Sequence, residues 1–349
     1  MSRNAIQDTR RHNYRRCSRK SGILSLLSQT LTKGGPMARI QGVGVAFCGG
    51  GFRSFAEVAA IEDMERNNIE IGAVAGTSMG ALVAALAGIG IDSRRMEELL
   101  VMMDQKIVDE GVLKMNPIKL FNAVGTHGII DSAIMERFAR NILDEAGIYT
   151  FADFKKPVAL CAVDVVTGEL CVFTNDPELF HDENGNWRIL SDEKLEVAKC
   201  VTCSASYPLV VTPTAYLGRT FMDGGCRMNL PTPLFDRSMV DAVVGVGMIR
   251  HARPIPDMTP LSIAKKTMNC GANQLDRIYS QAADIYINLP VSGDDAFQAG
   301  TGEQVIAEAR QMIEEHPIDW SAARPSALTA VRRAAVDAFL RMVRQHAEE

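Results

Sequence analysis

The stretch IEIGAVAGTSMGALVAALAGIG, residues 69–90, constrains the fold of this chain more than any other. An apolar run of strand length ends at Gly76-Thr77-Ser78-Met79-Gly80 and passes into an alanine-rich helical pattern. Glycines two residues either side of a serine let the strand and the helix approach closely and leave the hydroxyl in the open. The pattern fits the G-x-S-x-G nucleophile elbow and predicts a nucleophilic Ser78. The alternative is a turn that serves packing only.

A second strand-to-helix junction precedes this one. VGVAFC (43–48) is an apolar run of strand length, and Gly49-Gly50-Gly51 follows it. Residues 52–68 read as a helix with Glu57 off its apolar face, and that face carries Phe52, Phe55, Val58, Ile61 and Met64. This order of elements predicts parallel strands joined by right-handed crossovers.

The glycine run has two chemical uses. Three glycines expose backbone N–H groups that can point at one anion, which is a property of phosphate loops and of oxyanion holes. The chain lacks the G-K-[ST] of a P-loop, and the run does not fit G-x-G-x-x-G. A nucleophile on the next strand favours an oxyanion hole formed by Gly49, Gly50 and Gly51. Arg53 either adds positive charge there or anchors the loop.

The proton acceptor for the serine is less obvious, because none of the six histidines stands in a strongly indicative context. Asp223 follows the strand-like RTFM and precedes Gly224 and Gly225, which would again clear space around it. A carboxylate has a pKa of about 3.9 in water. Burial raises that pKa, and direct contact with the serine removes the need for a relay. A Ser78–Asp223 dyad is therefore chemically plausible, although MDGG alone also fits an ordinary turn.

The rest of the chain reads as one α/β domain. Helices are expected within 92–148, with Asp131 or Ser132 as a cap, and before Pro208. Residues 99–125 read as a core helix plus loop, with an apolar lid as the alternative. Strands are expected at 157–174, around a Thr167-Gly168 turn, and in TAYLGRTFMDGG, DAVVGVGMI and ADIYINLP. The C-terminal residues 325–347 form an amphipathic helical pattern that is expected to pack on the body, with contact to anionic lipid as the alternative.

Charge and cysteine usage restrict the expected binding partners and the expected cellular compartment. The net charge is −5, yet residues 1–36 carry eight basic side chains and one acidic one. The acidic remainder argues against nucleic acid as the main partner. No apolar run approaches the roughly 20 residues of a membrane span. Most of the eight cysteines lie in apolar runs, so buried free thiols and a reducing cytoplasm are expected.

Two segments follow from these observations. Residues 1–38 form a basic leader that is expected to be disordered or to stem from an upstream start, with membrane or partner contact and targeting as alternatives. Residues 39–349 are expected to form a single catalytic domain that includes the C-terminal helix.

Taken together, the three motifs resemble those of the patatin-like phospholipase family. That family combines a G-G-G-x-R/K-G loop, a G-x-S-x-G elbow and a downstream D-G-G, and here they correspond to residues 49–54, 76–80 and 223–225. CSASYPLVVTP (203–213) and AVDVVTGE (162–169) resemble two further family segments. The resemblance implies a three-layer α/β/α fold with a mostly parallel central sheet. It also implies hydrolysis of acyl esters of phospholipid, lysophospholipid or another lipid, without metal or cofactor. The cytoplasmic location expected from the cysteines leaves peripheral membrane contact open.

In that family scheme Ser78 attacks the carbonyl, Asp223 accepts its proton and the Gly49–Gly51 amides hold the oxyanion. One departure is Ser54, which stands where the family motif has its last glycine. Two rival hypotheses remain. One is an α/β-hydrolase with a Ser78, Asp223 and His251 triad, and the other is a lipid- or acyl-binding regulatory module that has lost catalysis.

Overall fold

The computed structural model describes residues 39–112, 130–182, 184–250, 254, 258–293 and 298–324. The basic leader, residues 113–125 of the lid alternative, His251 and the C-terminal amphipathic segment lie outside the described residues.

The described part of the chain contains a nine-stranded sheet. Its strands are β1 (Val43–Phe47), β2 (Ile71–Thr77), β3 (Val158–Asp164), β4 (Leu170–Thr174), β5 (Trp187–Leu190), β6 (Thr214–Tyr216), β7 (Arg219–Asp223), β8 (Val243–Gly247) and β9 (Ile285–Asn288). The main order is β5-β4-β3-β2-β1-β8-β9, and β7 pairs with both β3 and β6. Strands β3, β2, β1, β8 and β9 run parallel, while β4 and β7 run antiparallel to β3. The sheet is therefore mixed and mostly parallel, as the sequence predicted.

Six of the seven described helices lie between strands in the chain, and the seventh follows β9. They are α1 (Glu57–Arg66), α2 (Met79–Gly88), α3 (Ser93–Asp109), α4 (Ser132–Glu145), α5 (Val197–Ala205), α6 (Pro260–Tyr279) and α7 (Gly302–Glu315). Asp131 is the N-cap of α4, because its side chain accepts a hydrogen bond from the Ala133 N–H.

The two faces of the sheet bury different cores, because side chains alternate along a strand. Val45 and Phe47 of β1 face a large core with α1 to α5 and α7. Ala46 and Cys48 face a smaller core on the other side. That second side is covered mainly by the segment 228–240 and the end of α6. The fold is thus an α/β fold in three layers of unequal thickness.

The first predicted helix begins differently from its sequence pattern. Residues Gly51–Ala56 form a 3-10 turn, and the α-helix starts only at Glu57. The predicted apolar face is buried, but the start of the α-helix is buried on its other sides as well, since Ala59 and Ala60 are also buried. The predicted position of Glu57 away from the core is wrong, since this residue is completely buried. Burial raises the pKa of its carboxyl well above the usual value.

Helix α3 packs into the larger core. Residues 99–109, the part of the segment 99–125 that lies in this helix, therefore agree with the prediction of a core helix. Leu99, Leu100, Met103 and Ile107 are buried against the other helices. None of the helices in the described ranges is long and apolar enough to cross a membrane.

The cysteines only partly follow the prediction of buried thiols. All seven cysteines that the structure describes are free, and five of them are buried. Cys226 and Cys270 are exposed, so the prediction is wrong for these two. Cys270 lies on α6, whose side chains are mostly exposed or half-buried, and Cys226 follows the tight turn after β7.

Candidate active site

The elbow holds Ser78 in a strained backbone conformation between β2 and α2. Its φ of 56° and ψ of −128° lie where a residue with a side chain is rarely found. Gly76 and Gly80 make this turn possible. A Cβ on Gly76 would lie 2.3 Å from the Gly80 oxygen, and a Cβ on Gly80 would lie 2.4 Å from the Cys48 oxygen. The turn therefore presses the start of α2 against the ends of two strands and leaves Ser78 half-buried.

A buried serine on α5 fixes the elbow from behind. The Ser78 N–H donates to Ser204 Oγ at 2.8 Å, and Ser204 Oγ donates to the Cys161 carbonyl at 2.5 Å. Ser204 is completely buried. Its hydroxyl thus links the elbow to β3, and the resemblance to the family segment 203–213 was the sequence signal for it.

The sheet register brings Asp223 to the elbow. Strand β2 pairs with β3 as far as Thr77 and Cys161, and β4 occupies the other side of β3. Beyond that point β7 takes the place of β2 and pairs Asp223 with Ala162. Ser78, the first residue after β2, and Asp223, the last residue of β7, therefore lie next to each other beside β3.

The Asp223 carboxylate is buried, with 2% of its surface exposed, and it faces the Ser78 hydroxyl. Its Oδ1 accepts a hydrogen bond from the Gly225 N–H at 2.7 Å. Its Oδ2 has no hydrogen-bond partner among the described residues. Burial raises the pKa of Asp223 to about 6, and the Ser78 hydroxyl and Gly225 N–H oppose that rise. The group thus has a free oxygen and a pKa close to neutral.

The glycine loop uses its three residues differently. The Gly49 N–H donates to the Asn229 carbonyl at 3.2 Å, and the Gly49 carbonyl accepts from Asn229 Nδ2 at 3.2 Å. Arg53 Nε donates to the Gly50 carbonyl at 3.2 Å, so Arg53 anchors the loop. The Gly50 and Gly51 amides precede the first turn and donate to no residue within the described ranges. Gly51, with a φ of 61°, has a conformation that favours glycine.

Ser54, the departure from the family motif, is buried beneath this loop. Its Oγ donates to the Cys48 carbonyl at 3.2 Å. The serine therefore joins the 3-10 turn to the end of β1 and points away from solvent.

Glycines also shape the turn after Asp223. A Cβ on Gly224 would lie 2.4 Å from the Cys161 oxygen, and one on Gly225 would lie 2.9 Å from Asn229 Oδ1. The two glycines therefore allow the turn to lie against β3 and against Asn229.

The segment Met228–Asn229 touches all three motifs. The Met228 N–H donates to the Gly224 carbonyl at 2.9 Å, and Thr77 Oγ1 donates to the Met228 carbonyl at 2.9 Å. Asn229 is bonded twice to Gly49. Sequence reasoning missed this segment, because no local pattern marks an asparagine that binds a loop 180 residues away.

An apolar pocket opens beside Ser78. Besides Ser78 and Gly51 it is lined by side chains that are all apolar: Phe52, Met79, Ile107, Val112, Ile130, Met135, Ala205 and Val211. They come from the glycine loop, α2, the end of α3, the start of α4 and the end of α5. The lining therefore presents an apolar surface next to the serine hydroxyl.

Comparison with known proteins places this chain in a family. Residues 45–236, more than half of the chain, match the family described as patatin-like phospholipase. The chain therefore belongs to the patatin-like phospholipase family, a family of lipid hydrolases. The match spans the glycine loop, the elbow and Asp223.

Individual relatives are more distant. The chain is 28% identical over 219 residues to the uncharacterized protein YqhO of Bacillus subtilis, which covers 60% of this chain and 72% of that protein. Among solved structures, VipD from Legionella pneumophila superposes with a TM-score of 0.41 at 14% identity, covering 83% of this chain and 73% of VipD. The type III effector protein ExoU, a Pseudomonas aeruginosa protein, superposes with a TM-score of 0.39 at 14% identity, covering 79% of this chain and 52% of ExoU.

Proposed function

We propose that this protein is a lipid acyl hydrolase of the phospholipase A or lysophospholipase type. It cleaves acyl esters through a Ser78–Asp223 dyad and an acyl-enzyme intermediate, with an oxyanion hole in the glycine loop. The observation that carries the proposal is the meeting of a strained, half-buried Ser78 with the buried carboxylate of Asp223, one of whose oxygens has no partner among the described residues.

The first half-reaction forms the acyl-enzyme. Ser78 Oγ attacks the carbonyl carbon of the ester, and its proton passes to Asp223 Oδ2. The carbonyl oxygen becomes an oxyanion and is held by the amides of Gly50 and Gly51, because the Gly49 N–H already donates to Asn229. Each such donor lowers the barrier by about 3–4 kcal/mol. The tetrahedral intermediate then expels the alcohol, which takes the proton from Asp223.

The second half-reaction releases the acyl group. Water attacks the Ser78 ester and gives a proton to Asp223, the same amides hold the new oxyanion, and the intermediate expels Ser78 Oγ. Ser78 regains its proton from Asp223, and the fatty acid leaves. A carboxylate with a pKa of about 6 is suited to both directions, because it is largely ionised at pH 7 yet can carry a proton briefly.

The apolar lining supports a hydrocarbon group as the part of the substrate that lies next to Ser78. Its lining is apolar apart from Ser78 and the Gly51 backbone, and burying a methylene in such surroundings is worth about 0.8 kcal/mol. Together with the family match, this lining makes phospholipids and lysophospholipids the proposed substrates.

The contact geometry favours the dyad over a histidine triad. Asp223 faces Ser78 directly, whereas in a triad an imidazole separates the serine from the carboxylate. The two described histidines, His181 and His316, lie on the surface.

A fluorophosphonate probe tests the nucleophile directly. We expect covalent labelling of the wild-type protein, none of Ser78→Ala and strongly reduced labelling of Asp223→Asn. Ser238→Ala, an exposed serine at a turn, is the matched control and should label like wild type. Incubation with mixed phospholipids and lysophospholipids should then release free fatty acid in the same order of variants.

Two results would contradict the proposal. Folded wild-type protein that neither labels nor releases fatty acid would indicate a lipid- or acyl-binding regulatory module instead. Loss of activity in a folded His251→Ala variant, with Asp223→Asn still active, would favour the triad.

A further inference from the structure

Asn229 contacts the glycine loop, and the proposed reaction steps give its side chain no role. Its main-chain carbonyl accepts from the Gly49 N–H, and its side-chain Nδ2 donates to the Gly49 carbonyl at 3.2 Å. The same Nδ2 donates to Asp276 Oδ2 at 2.9 Å. Because both partners of Nδ2 can only accept, the orientation of the side-chain amide is determined by its surroundings.

Asp276 is the only buried residue of α6 within the described side chains of that helix. The residue is 6% exposed, and its Oδ1 lacks a hydrogen-bond partner among the described residues. A carboxylate in such a place is costly unless it serves a partner. Here the partner is Asn229, and α6 thereby reaches the glycine loop through one side chain.

The geometry of the peptide bond connects this contact to the oxyanion hole. In a trans peptide the carbonyl and the following N–H point in opposite directions. A Gly49 carbonyl held by Asn229 therefore directs the Gly50 N–H away from Asn229. In the same way, a Gly50 carbonyl held by Arg53 directs the Gly51 N–H away from Arg53, and Gly51 lines the pocket with Ser78.

We propose that Asn229, itself oriented by the Asp276 carboxylate, is a positioning residue that aims the Gly50 N–H at the oxyanion of the reaction. Asn229 acts through the Gly49 peptide and does not touch the substrate. This inference rests on the proposed function for its catalytic consequence. The placement of the loop by Asn229 can be measured without any activity.

Space around Gly49 supports a close fit at this point. A Cβ on Gly49 would lie 2.5 Å from Asn229 Oδ1 and 2.8 Å from Ser78 Cβ. The loop is thus confined between the elbow and Asn229. Loss of the Asn229 side chain opens one side of this confinement and frees the Gly49 peptide to rotate.

The experiment compares Asn229→Ala with a matched asparagine. Asn175 is also half-buried, and its side chain also bonds to main-chain groups of another segment. Its Nδ2 donates to the Lys156 carbonyl at 3.0 Å, and its Oδ1 accepts from the Val158 N–H at 2.8 Å. It lies at the opposite end of β3 from the site. Asn175→Ala therefore reports the cost of losing a structural asparagine elsewhere.

Two measurements are made on the full-length protein: the second-order rate of fluorophosphonate labelling, and hydrogen–deuterium exchange of the peptide covering residues 48–53. For Asn229→Ala we expect labelling to slow by about 100-fold, the size of effect that misplacement of a reacting group produces. Exchange in residues 48–53 should become faster. Asn175→Ala should label at the wild-type rate, with unchanged exchange in that peptide.

Two variants of Asp276 test whether its carboxylate orients Asn229. Asp276→Asn retains an acceptor oxygen for Asn229 and should label faster than Asp276→Ala, which removes it. This rescue by the conservative variant is not expected of a residue that only fills space.

The outcomes separate the inference from the proposed function. Wild-type labelling rates in Asn229→Ala, unchanged exchange at residues 48–53, or an equal loss in Asn175→Ala would each overturn the inference. If wild-type protein does not label at all, the proposed function fails. The exchange comparison then decides alone whether Asn229 places the loop.

Discussion

The main-chain N–H of Ser78 donates a 2.8 Å hydrogen bond to the hydroxyl of Ser204, a residue on a helix 126 positions later in the chain. This contact explains how a strained elbow persists. Ser78 has a positive φ that costs free energy, and such conformations survive only where the surrounding structure holds them in place. Ser204 supplies part of that support, because it is buried and bonded to β3 as well.

Replacement of Ser204 by alanine should therefore weaken both stability and activity. The change leaves the Ser78 N–H and the Cys161 carbonyl without their partner, and an unsatisfied buried polar group costs about 1–3 kcal/mol. We expect a lower free energy of unfolding in urea and slower labelling of Ser78. Ser280→Ala, which loses a surface bond to the Arg277 carbonyl, is the control and should be close to wild type. An unchanged labelling rate in Ser204→Ala would show that the elbow does not need this contact.

Replacement of Asp223 by asparagine should stabilise the protein at neutral pH while abolishing activity. Burial raises the pKa of Asp223 from 3.8 to about 6, so the folded state binds this proton more tightly than the unfolded state. The folded protein is therefore penalised as pH rises from about 4 to above 6, by up to about 3 kcal/mol. Asparagine removes that penalty.

Urea unfolding of both proteins at pH 4 and pH 8 measures this effect. Asp223→Asn should gain stability over wild type at pH 8 and little at pH 4. Hydrolysis by wild type should rise with pH through about 6, as the carboxylate ionises. A variant that is less stable than wild type at pH 8 would contradict the sign of the pKa shift.

Two glycine-to-alanine changes in helices should have opposite effects. A Cβ at position 80 meets the Cys48 and Phe47 oxygens at 2.4 and 2.7 Å, which are backbone atoms that cannot step aside. We expect Gly80→Ala to destabilise the protein by at least about 1–3 kcal/mol, as overpacked sites do. Gly271 on α6 has no atom within 4 Å of its Cβ position, so Gly271→Ala should stabilise the helix by about 0.5–1 kcal/mol. Thermal unfolding of the two variants provides the comparison, and a stable Gly80→Ala would mean that α2 can move off β1.

Replacement of Ser54 by glycine, the residue of the family motif, should lower the stability of the protein and leave its activity unchanged. Ser54 Oγ donates to the Cys48 carbonyl inside the protein, and its loss costs about 1 kcal/mol. The Gly49 and Gly50 carbonyls keep their bonds to Asn229 and Arg53, so the Gly50 and Gly51 amides should keep their positions. Labelling and hydrolysis rates near those of wild type are expected. A large gain in rate for Ser54→Gly would instead identify Ser54 as the cause of reduced activity in the natural sequence.

Much of the fold was predictable because its signals are local. The apolar runs at 43–48 and 69–76 became β1 (Val43–Phe47) and β2 (Ile71–Thr77). The glycines at 76 and 80 correctly marked a tight turn. The helix after the glycine loop was found, but its 3-10 start was not. Glu57 lies off the predicted apolar face and is buried all the same, because the start of this helix is surrounded by protein on every side.

The sequence by itself determined which residue types are available for chemistry and where the chain turns, since glycines, strand runs and helix patterns act over a few neighbours. Only the tertiary structure decided which of these groups meet. Asp223 reaches Ser78 because β7 replaces β2 beside β3, and Ser204 and Asn229 reach the elbow and the glycine loop from distant segments. Such contacts depend on strand register and on helix packing across more than a hundred residues. No local preference encodes them, because their free energy is gained only when the whole sheet has formed.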